Sequence, residues 1–368
     1  MTTLTNEQIG TLAKLSTKLA SLGCDGEFLP EVSEGPVVTL YRFQPKAATR
    51  VSQVENLYKD MAIALGVDTV QVNRIPGESC IGIYVPNKIR KDLLFKDAVT
   101  AVWQSKAYIP LCLGIDTMGH LVVEDLASLP HLLIAGTTGG GKSTLLKSIL
   151  AALEYCKSTD QVRLVLCDPK QVEMKLFEKS PHLLHSIAYS TKEILERMEW
   201  LLSDVETRLS TFARSDVVNI EEYNKIRWRL PYIVLVIDEL ADPLGDIEKD
   251  EDRKKTLGKL CEFYLGRIAA KARATGIHII AATQRPSVKV VEGNIKANFP
   301  ARISFKLPSG YDSRTVLDVL GAEQLLSQGD MLFLSPNSQA IRRIHAPKAE
   351  KEDIKMAIEM AIQKELVK

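Results

Sequence analysis

The sequence predicts an α/β fold, a mainly parallel sheet with helices on both faces preceded by a small α/β unit. Three observations carry this. From about Asp116 onward, short β-branched runs alternate with longer amphipathic stretches, the pattern of strands buried on both faces and joined by helices. One run, HLLIA (131–135), leads straight into the glycine-rich segment Gly136-Thr137-Thr138-Gly139-Gly140-Gly141-Lys142-Ser143-Thr144, with a helical pattern behind it. Another, YIVLVI (232–237), ends on the acidic pair Asp238 and Glu239.

In chain order, residues 1–30 read as an amphipathic helical segment. Leu4, Ile9, Leu12, Leu15 and Leu19 recur at roughly helical spacing, and Gly23 is the stop signal. Residues 31–115 read as the small α/β unit. VVTLYRF (37–43) and CIGIYVP (80–86) alternate like strands, and VENLYKDMAIALG (54–66) reads as a helix closed by Gly66. This unit holds no catalytic cluster, so its expected role is scaffolding or ring building. Residues 116–348 form the main domain. Its strands are HLLIA, VRLVLC (162–167), YIVLVI, IHIIAAT (277–283), ARISFKL (301–307) and MLFLS (331–335). Helices are expected over 143–155, 191–214 and 253–275. Residues 349–368 read as a final helix packing through Ile354, Ile358, Ile362 and Leu366.

Composition excludes several classes. The 368 residues are 45% hydrophobic and 25% charged, which rules out wholesale disorder. Six cysteines lie far apart with no CxxC pair, against a zinc site or a disulfide scaffold. Apolar runs such as 233–237 fall far short of the ~18 residues of a membrane helix. The start MTTLTNEQIG lacks the pattern of a signal peptide. A soluble cytoplasmic protein without a membrane segment is expected. Lys plus Arg (47) balance Asp plus Glu (46), so any nucleic-acid partner needs a local patch.

Gly136 to Ser143 matches GxxxxGK[ST]. Glycines let successive backbone N–H groups converge on phosphate oxygens, and the following helix adds its dipole. Lys142 would supply charge to the β- and γ-phosphates of ATP, and the Ser143 hydroxyl a ligand for Mg²⁺. At the end of YIVLVI, Asp238 can hold Mg²⁺ and Glu239 can accept the proton of the attacking water. Asp168-Pro169-Lys170 ends another strand on the same side; Asp168 suits either a ligand or a simple turn. Gln284, after IHIIAAT, can touch both the γ-phosphate and the attacking water. Lys271 and Arg273 close the helix before it, either as dipole partners or as a residue reaching a neighbour's nucleotide. Residues 285–314 carry Arg285, Lys289, Lys296, Arg302, Lys306 and Arg314 against only Glu292 and Asp312, as phosphate-backbone contact requires or as an ordinary solvated face would show.

Taken in order, HLLIAGTTGGGKS, DPKQVEMKLFEKSPHLL, PYIVLVIDELAD, RIAAKARATGIHIIAATQRPSV, IKANFPARISFKLPSGYDSRTVLD and GAEQLLSQGDMLFLSPNS resemble the FtsK/SpoIIIE family of ring-shaped double-stranded DNA translocases. GPVVTLYRF and IPGESCIGIYVPNK are more weakly similar to the family's small motor subdomain. The resemblance implies a RecA-like P-loop ATPase domain and a homo-oligomer, expected as a hexameric ring. It implies that Lys142 and Ser143 are the phosphate and Mg²⁺ residues, Asp238 the second Mg²⁺ acid, Glu239 the base and Gln284 the sensor. Arg273 matches the arginine inserted into the neighbouring ATP site. Arg285 belongs to the basic ATQRPS segment, and Lys296 and Arg314 match positions that touch DNA phosphates. Gly310-Tyr311 stands where relatives often have a lysine before DSRT, so a weaker grip is expected.

Neither a membrane domain nor a winged-helix reader is visible, as in the stripped-down motors of mobile elements or a motor fragment. The function expected is an ATP-driven translocase on double-stranded DNA. A conjugation or packaging ATPase, and a nucleotide-gated DNA-binding protein that does not translocate, are the alternatives.

Overall fold

The computed structural model describes all residues except 1–3, 76, 92, 228, 251–252, 254, 292–293, 339–340 and 368. Helix α1 (Asn6–Ser21) opens on a capping box, in which the Thr5 hydroxyl accepts from the Gln8 N–H and the Gln8 side chain answers the Thr5 N–H. A four-stranded antiparallel sheet follows, of β1 (Gly26–Glu34), β2 (Val38–Pro45), β3 (Gln71–Arg74) and β4 (Ile81–Pro86), in the order β1-β2-β4-β3. Helices α2 (Val51–Asn56) and α3 (Tyr58–Leu65) join β2 to β3. Leu15 and Leu19 of α1 pack with Tyr41, Phe43, Met61, Ile81 and Ile83. The first 30 residues are therefore not a separate helical segment. Their apolar stripe needs this sheet, and β1 already occupies residues 26–30.

Next come α4 (Phe95–Gln104), β5 (Pro110–Asp116), β6 (Leu121–Asp125) and β7 (His131–Ala135). After the phosphate loop stand α5 (Lys142–Cys156), β8 (Val162–Cys167), α6 (Thr191–Arg214), α7 (Ile220–Ile226) and β9 (Tyr232–Ile237). A short helix, α8 (Ala241–Leu244), and a hairpin of β10 (Lys249–Asp250) and β11 (Lys255–Thr256) precede α9 (Leu257–Lys271). The expected start of that helix at Arg253 is thus early by four residues, because the Thr256 hydroxyl caps the helix by accepting from the Lys259 N–H. Then follow β12 (Ile277–Thr283), α10 (Val288–Val291), α11 (Asn294–Asn298), β13 (Ala301–Phe305), α12 (Gly310–Leu317), β14 (Asp330–Leu334), β15 (Ile341–His345) and α13 (Lys351–Leu366).

The nine strands β6-β5-β15-β14-β13-β7-β12-β9-β8 form one sheet. From β13 to β8 every neighbouring pair is parallel, while β14, β15, β5 and β6 extend it antiparallel. The boundary expected at residue 115 moves accordingly, since β5 belongs to this sheet and α4 packs on α5 beneath it.

Alternation along the parallel strands builds two cores. Leu132, Ile134, Val234, Val236, Ile280 and Ala282 face α5, α4 and α13, while Leu133, Ile233, Leu235, Ile237, Ile279 and Ala281 face α6 and α9. In α13, Ile354 and Ile358 are buried with Ala357 and Ala361, whereas Ile362 and Leu366 are exposed. The expected stripe holds for two turns only, because α5 ends and leaves nothing for Leu366 to cover.

Candidate active site

Parallel strands place all their carboxyl ends on one edge of the sheet. Here β7 delivers the glycine loop, β12 delivers Gln284, β9 delivers Asp238 and Glu239, and β8 delivers Asp168. The register sets Thr283 opposite Ala135 and Ile237 opposite both Ala281 and Cys167. The glycine loop and Gln284 thus meet at one cleft of about 460 Å³, while Asp168, Asp238 and Glu239 lie buried behind its lining. Thr137, Thr138, Gly139, Gly141, Lys142, Ser143 and Thr144 line it, together with Gln284.

The loop is anchored from both sides. Gly136 N–H donates to Thr283 O, and Thr137 donates through its N–H and its hydroxyl to Lys306 O. Gly141 has φ +121°, and a Cβ there would lie 2.8 Å from Gly329 N. Only glycine fits, because the Gly329 N–H also bonds Gly140 O at 2.9 Å. Lys142, Ser143 and Thr144 begin α5, so the helix N-terminus faces the cleft.

Lys142 is 3% exposed. Its Nζ donates to Asp238 Oδ1 at 2.7 Å and to Asp238 O at 2.6 Å. The other Asp238 oxygen, Oδ2, is buried without a partner. Burial pushes the Asp238 carboxyl above its ordinary range, against the pull of Lys142. The Ser143 hydroxyl lies against the Glu173 carboxylate, which also accepts from Lys147 at 2.9 Å. These are hard oxygen donors with one buried carboxylate oxygen unsatisfied, so Ser143 and Asp238 fit Mg²⁺.

Glu239 is 1% exposed and heavily bonded. Oε1 accepts from the Thr283 hydroxyl at 2.7 Å, and Oε2 from Lys170 Nζ at 2.8 Å. The Gln284 N–H reaches both oxygens, at 3.2 and 3.1 Å. Burial raises the carboxyl, but the bonds from Lys170, Thr283 and Gln284 outweigh it and hold it below the usual range. The Gln284 side chain accepts from the Thr138 hydroxyl at 2.9 Å, closing a chain from Glu239 to the glycine loop.

Several participants were not singled out by sequence reasoning: Glu173, Lys147, Thr283, and the His345–Lys348 segment that lines the far wall. DPKQVE held the signal for Glu173 and Lys170. Asp168 makes the turn weighed for it, with Oδ2 accepting from the N–H groups of Glu173 and Met174, while Oδ1 is buried without a hydrogen-bond partner.

Arg273 stands elsewhere. It lies exposed on the turn 272–275 that leads into the amino end of β12, a seven-residue strand away from Gln284. At ~3.3 Å per residue that is roughly 20 Å from the glycine loop. It cannot reach the cleft of its own chain.

The basic segment is not one solvated face. Arg302 is buried and donates to Phe299 O, Lys296 O and Asp318. Lys296 is only 22% exposed and pairs with Asp318 Oδ1 at 2.6 Å. Arg285 and Arg314 are exposed, and among the described residues no carboxylate pairs with either. Glu292 and the Lys289 side chain lie outside the described residues.

Residues 94–229 and 225–288 match the FtsK/SpoIIIE family profile, and residues 2–87 match that of the FtsK alpha domain. The chain belongs to the FtsK/SpoIIIE family. The two matched regions meet just before α4, where the small sheet gives way to the large one. The "DNA translocase FtsK" of Clostridium acetobutylicum is 40% identical over 96% of this chain and 46% of its own length. That of Campylobacter jejuni is 41% identical over 88% of this chain and 34% of its own. The chain spans less than half the length of these curated relatives.

Among solved structures, the pCW3 conjugation coupling protein TcpA superposes with TM-score 0.68 at 23% identity, covering 96% of this chain and 99% of that one. The cytoplasmic domain of the Thermomonospora curvata type VII secretion ATPase EccC gives 0.63 at 20% identity, over 74% and 34%. Both share the fold. Among the described residues no helix is long and apolar enough to cross a membrane.

Proposed function

We propose that this chain is an ATP-driven motor on double-stranded DNA, working as a cytoplasmic ring, expected to be hexameric. The observation that carries it is the bonded chain from Glu239 through Gln284 to Thr138, which ties a buried base to the loop that would cradle the phosphates. Binding alone needs the loop; it does not need a carboxylate linked to it and set next to Asp238.

In this account Lys142 neutralises the β- and γ-phosphates, and Ser143 with Asp238 would hold Mg²⁺. Bound there, the ion would neutralise charge on the transferring phosphoryl oxygens. Glu239 takes the proton of the attacking water, and Gln284 links that event to the glycine loop. Arg273, remote from its own cleft, completes the site of the next subunit, which is why a ring is required. Arg285 and Arg314 offer exposed charge to DNA phosphates, with Lys296 held in reserve by Asp318. Such contacts track the backbone without reading sequence.

The test is ATP turnover with duplex DNA, with single strands and with neither. Stimulation by duplex alone is expected; equal rates in all three would set the account aside.

A further inference from the structure

The Glu239 carboxylate is full. A carboxylate offers about four lone-pair directions. The three donors around it make four contacts, two to each oxygen. While all of them persist, no direction is left for a proton from water. One donor must therefore withdraw before Glu239 can act as a base.

The donors are not equally free to leave. The Thr283 hydroxyl belongs to the last residue of a fully buried strand, and the Gln284 N–H is backbone immediately after it. Lys170 sits on a loop, at the end of a flexible four-carbon stem, and its side chain is 35% exposed. Three residues along the same loop, Glu173 accepts from Lys147 at 2.9 Å and stands beside the Ser143 hydroxyl. A ligand that takes the Ser143 hydroxyl competes with Glu173 and so loosens the loop that carries Lys170.

We propose that Lys170 is a positioning residue that latches Glu239 shut, and that its withdrawal opens Oε2 to the attacking water. The inference rests on Glu239 being the base. Once Oε2 is open, water gives its proton to that oxygen and its own oxygen to the γ-phosphorus. The bond from that phosphorus to the bridging oxygen breaks, and ADP leaves with the electron pair.

The test is ATP turnover without nucleic acid, at varied ATP, for the full chain and for Lys170→Met, Lys170→Gln, Lys170→Arg and Glu239→Gln. Lys170→Met and Lys170→Gln should raise kcat on the order of tenfold, the effect of one charge-assisted hydrogen bond, with KM unchanged. Lys170→Arg keeps a cationic donor and should stay at the low rate. Adding Glu239→Gln to Lys170→Met should abolish the gain. The second neutral variant guards against misfolding of the first, and thermal midpoints check both. If Glu239→Gln is silent while the folded Met or Gln variant turns over at or below the parent rate, the latch is refuted and the base stands. If Glu239→Gln turns over like the parent, the base assignment fails and the latch falls with it.

Discussion

Lys142 and Asp238 are bound to each other, with the Lys142 ammonium 2.7 Å from Asp238 Oδ1 and both side chains almost wholly buried. The residue proposed to meet phosphate is thus held by the residue proposed to meet the metal. Phosphate can replace the carboxylate as the partner of Lys142, and the carboxylate is then free for the ion.

That pairing separates two effects of one substitution. Lys142→Ala should abolish hydrolysis. It should also destabilise the protein by about 3–5 kcal/mol, because it strands a buried carboxylate. Lys142→Ala combined with Asp238→Asn should recover part of the stability and none of the turnover. Thermal unfolding and ATPase assays on the same preparations check both. A Lys142→Ala protein as stable as the parent would show that the pair contributes nothing to the fold.

Arg273 predicts complementation between inactive proteins. Arg273→Ala should lower turnover by on the order of 10³-fold or more. Mixed with Lys142→Ala, it should regain activity at interfaces where an intact cleft meets an intact arginine. No recovery across ring-size-controlled mixtures would place the arginine outside a neighbour's site.

Asp318 predicts a gain rather than a loss. It holds Lys296 and Arg302 together, and those two cations keep its carboxyl below the usual range despite the opposing effect of burial. Asp318→Asn should release Lys296 and tighten duplex binding equally for all sequences. If one phosphate contact is added, the plot of log affinity against log salt should steepen by about 0.9. Lys296→Ala should then cancel the gain. An unchanged slope in Asp318→Asn would mark Lys296 as a structural residue only.

Glu154 predicts a pH dependence of stability. It lies fully buried on α5, bonded to Ser180, with His182 3.8 Å away and Lys364 nearby. Burial lifts its carboxyl to about 7, above the ordinary 4.5, with Ser180 and Lys364 opposing. A raised carboxyl favours folding below its unfolded pKa and loses that contribution as pH rises through about 7. Glu154→Gln should match the parent near pH 4.5 and exceed it at pH 8, by on the order of 2–3 kcal/mol. Urea unfolding across that range measures the difference. A constant offset would contradict it.

The parallel core was legible because strands buried on both faces read as continuous apolar runs, and 131–135 and 232–237 lead straight into the chemistry. Of the antiparallel half, only β14 was read, as MLFLS. Strand β15, IRRIH, carries two arginines, and Arg343 turns inward only because Asp330 on the neighbouring strand pairs with it. Strand β1 holds Pro30 and a register shift between Phe28 and Val32, which suit an edge but break the alternation a sequence reader seeks.

Within the site, glycine loop, acidic pair and Gln284 each sit at a strand end and could be read one at a time. The bonds of Lys170 and Glu173 could not. They cross from β8 to β9 and α5, and no spacing along the chain encodes them. The basic segment misled in the opposite sense. Six cations in thirty residues look like one basic face, yet Arg302 satisfies carbonyls inside the protein.

Movement along duplex is the central claim, and displacement of a third strand annealed to a duplex measures it most directly. With ATP the chain should strip the third strand whatever the flanking sequence, while Glu239→Gln, able to bind ATP without hydrolysing it, should leave the triplex intact. Duplex-stimulated hydrolysis with no displacement on any substrate would contradict the claim, and would describe an ATPase that DNA activates but that does not move.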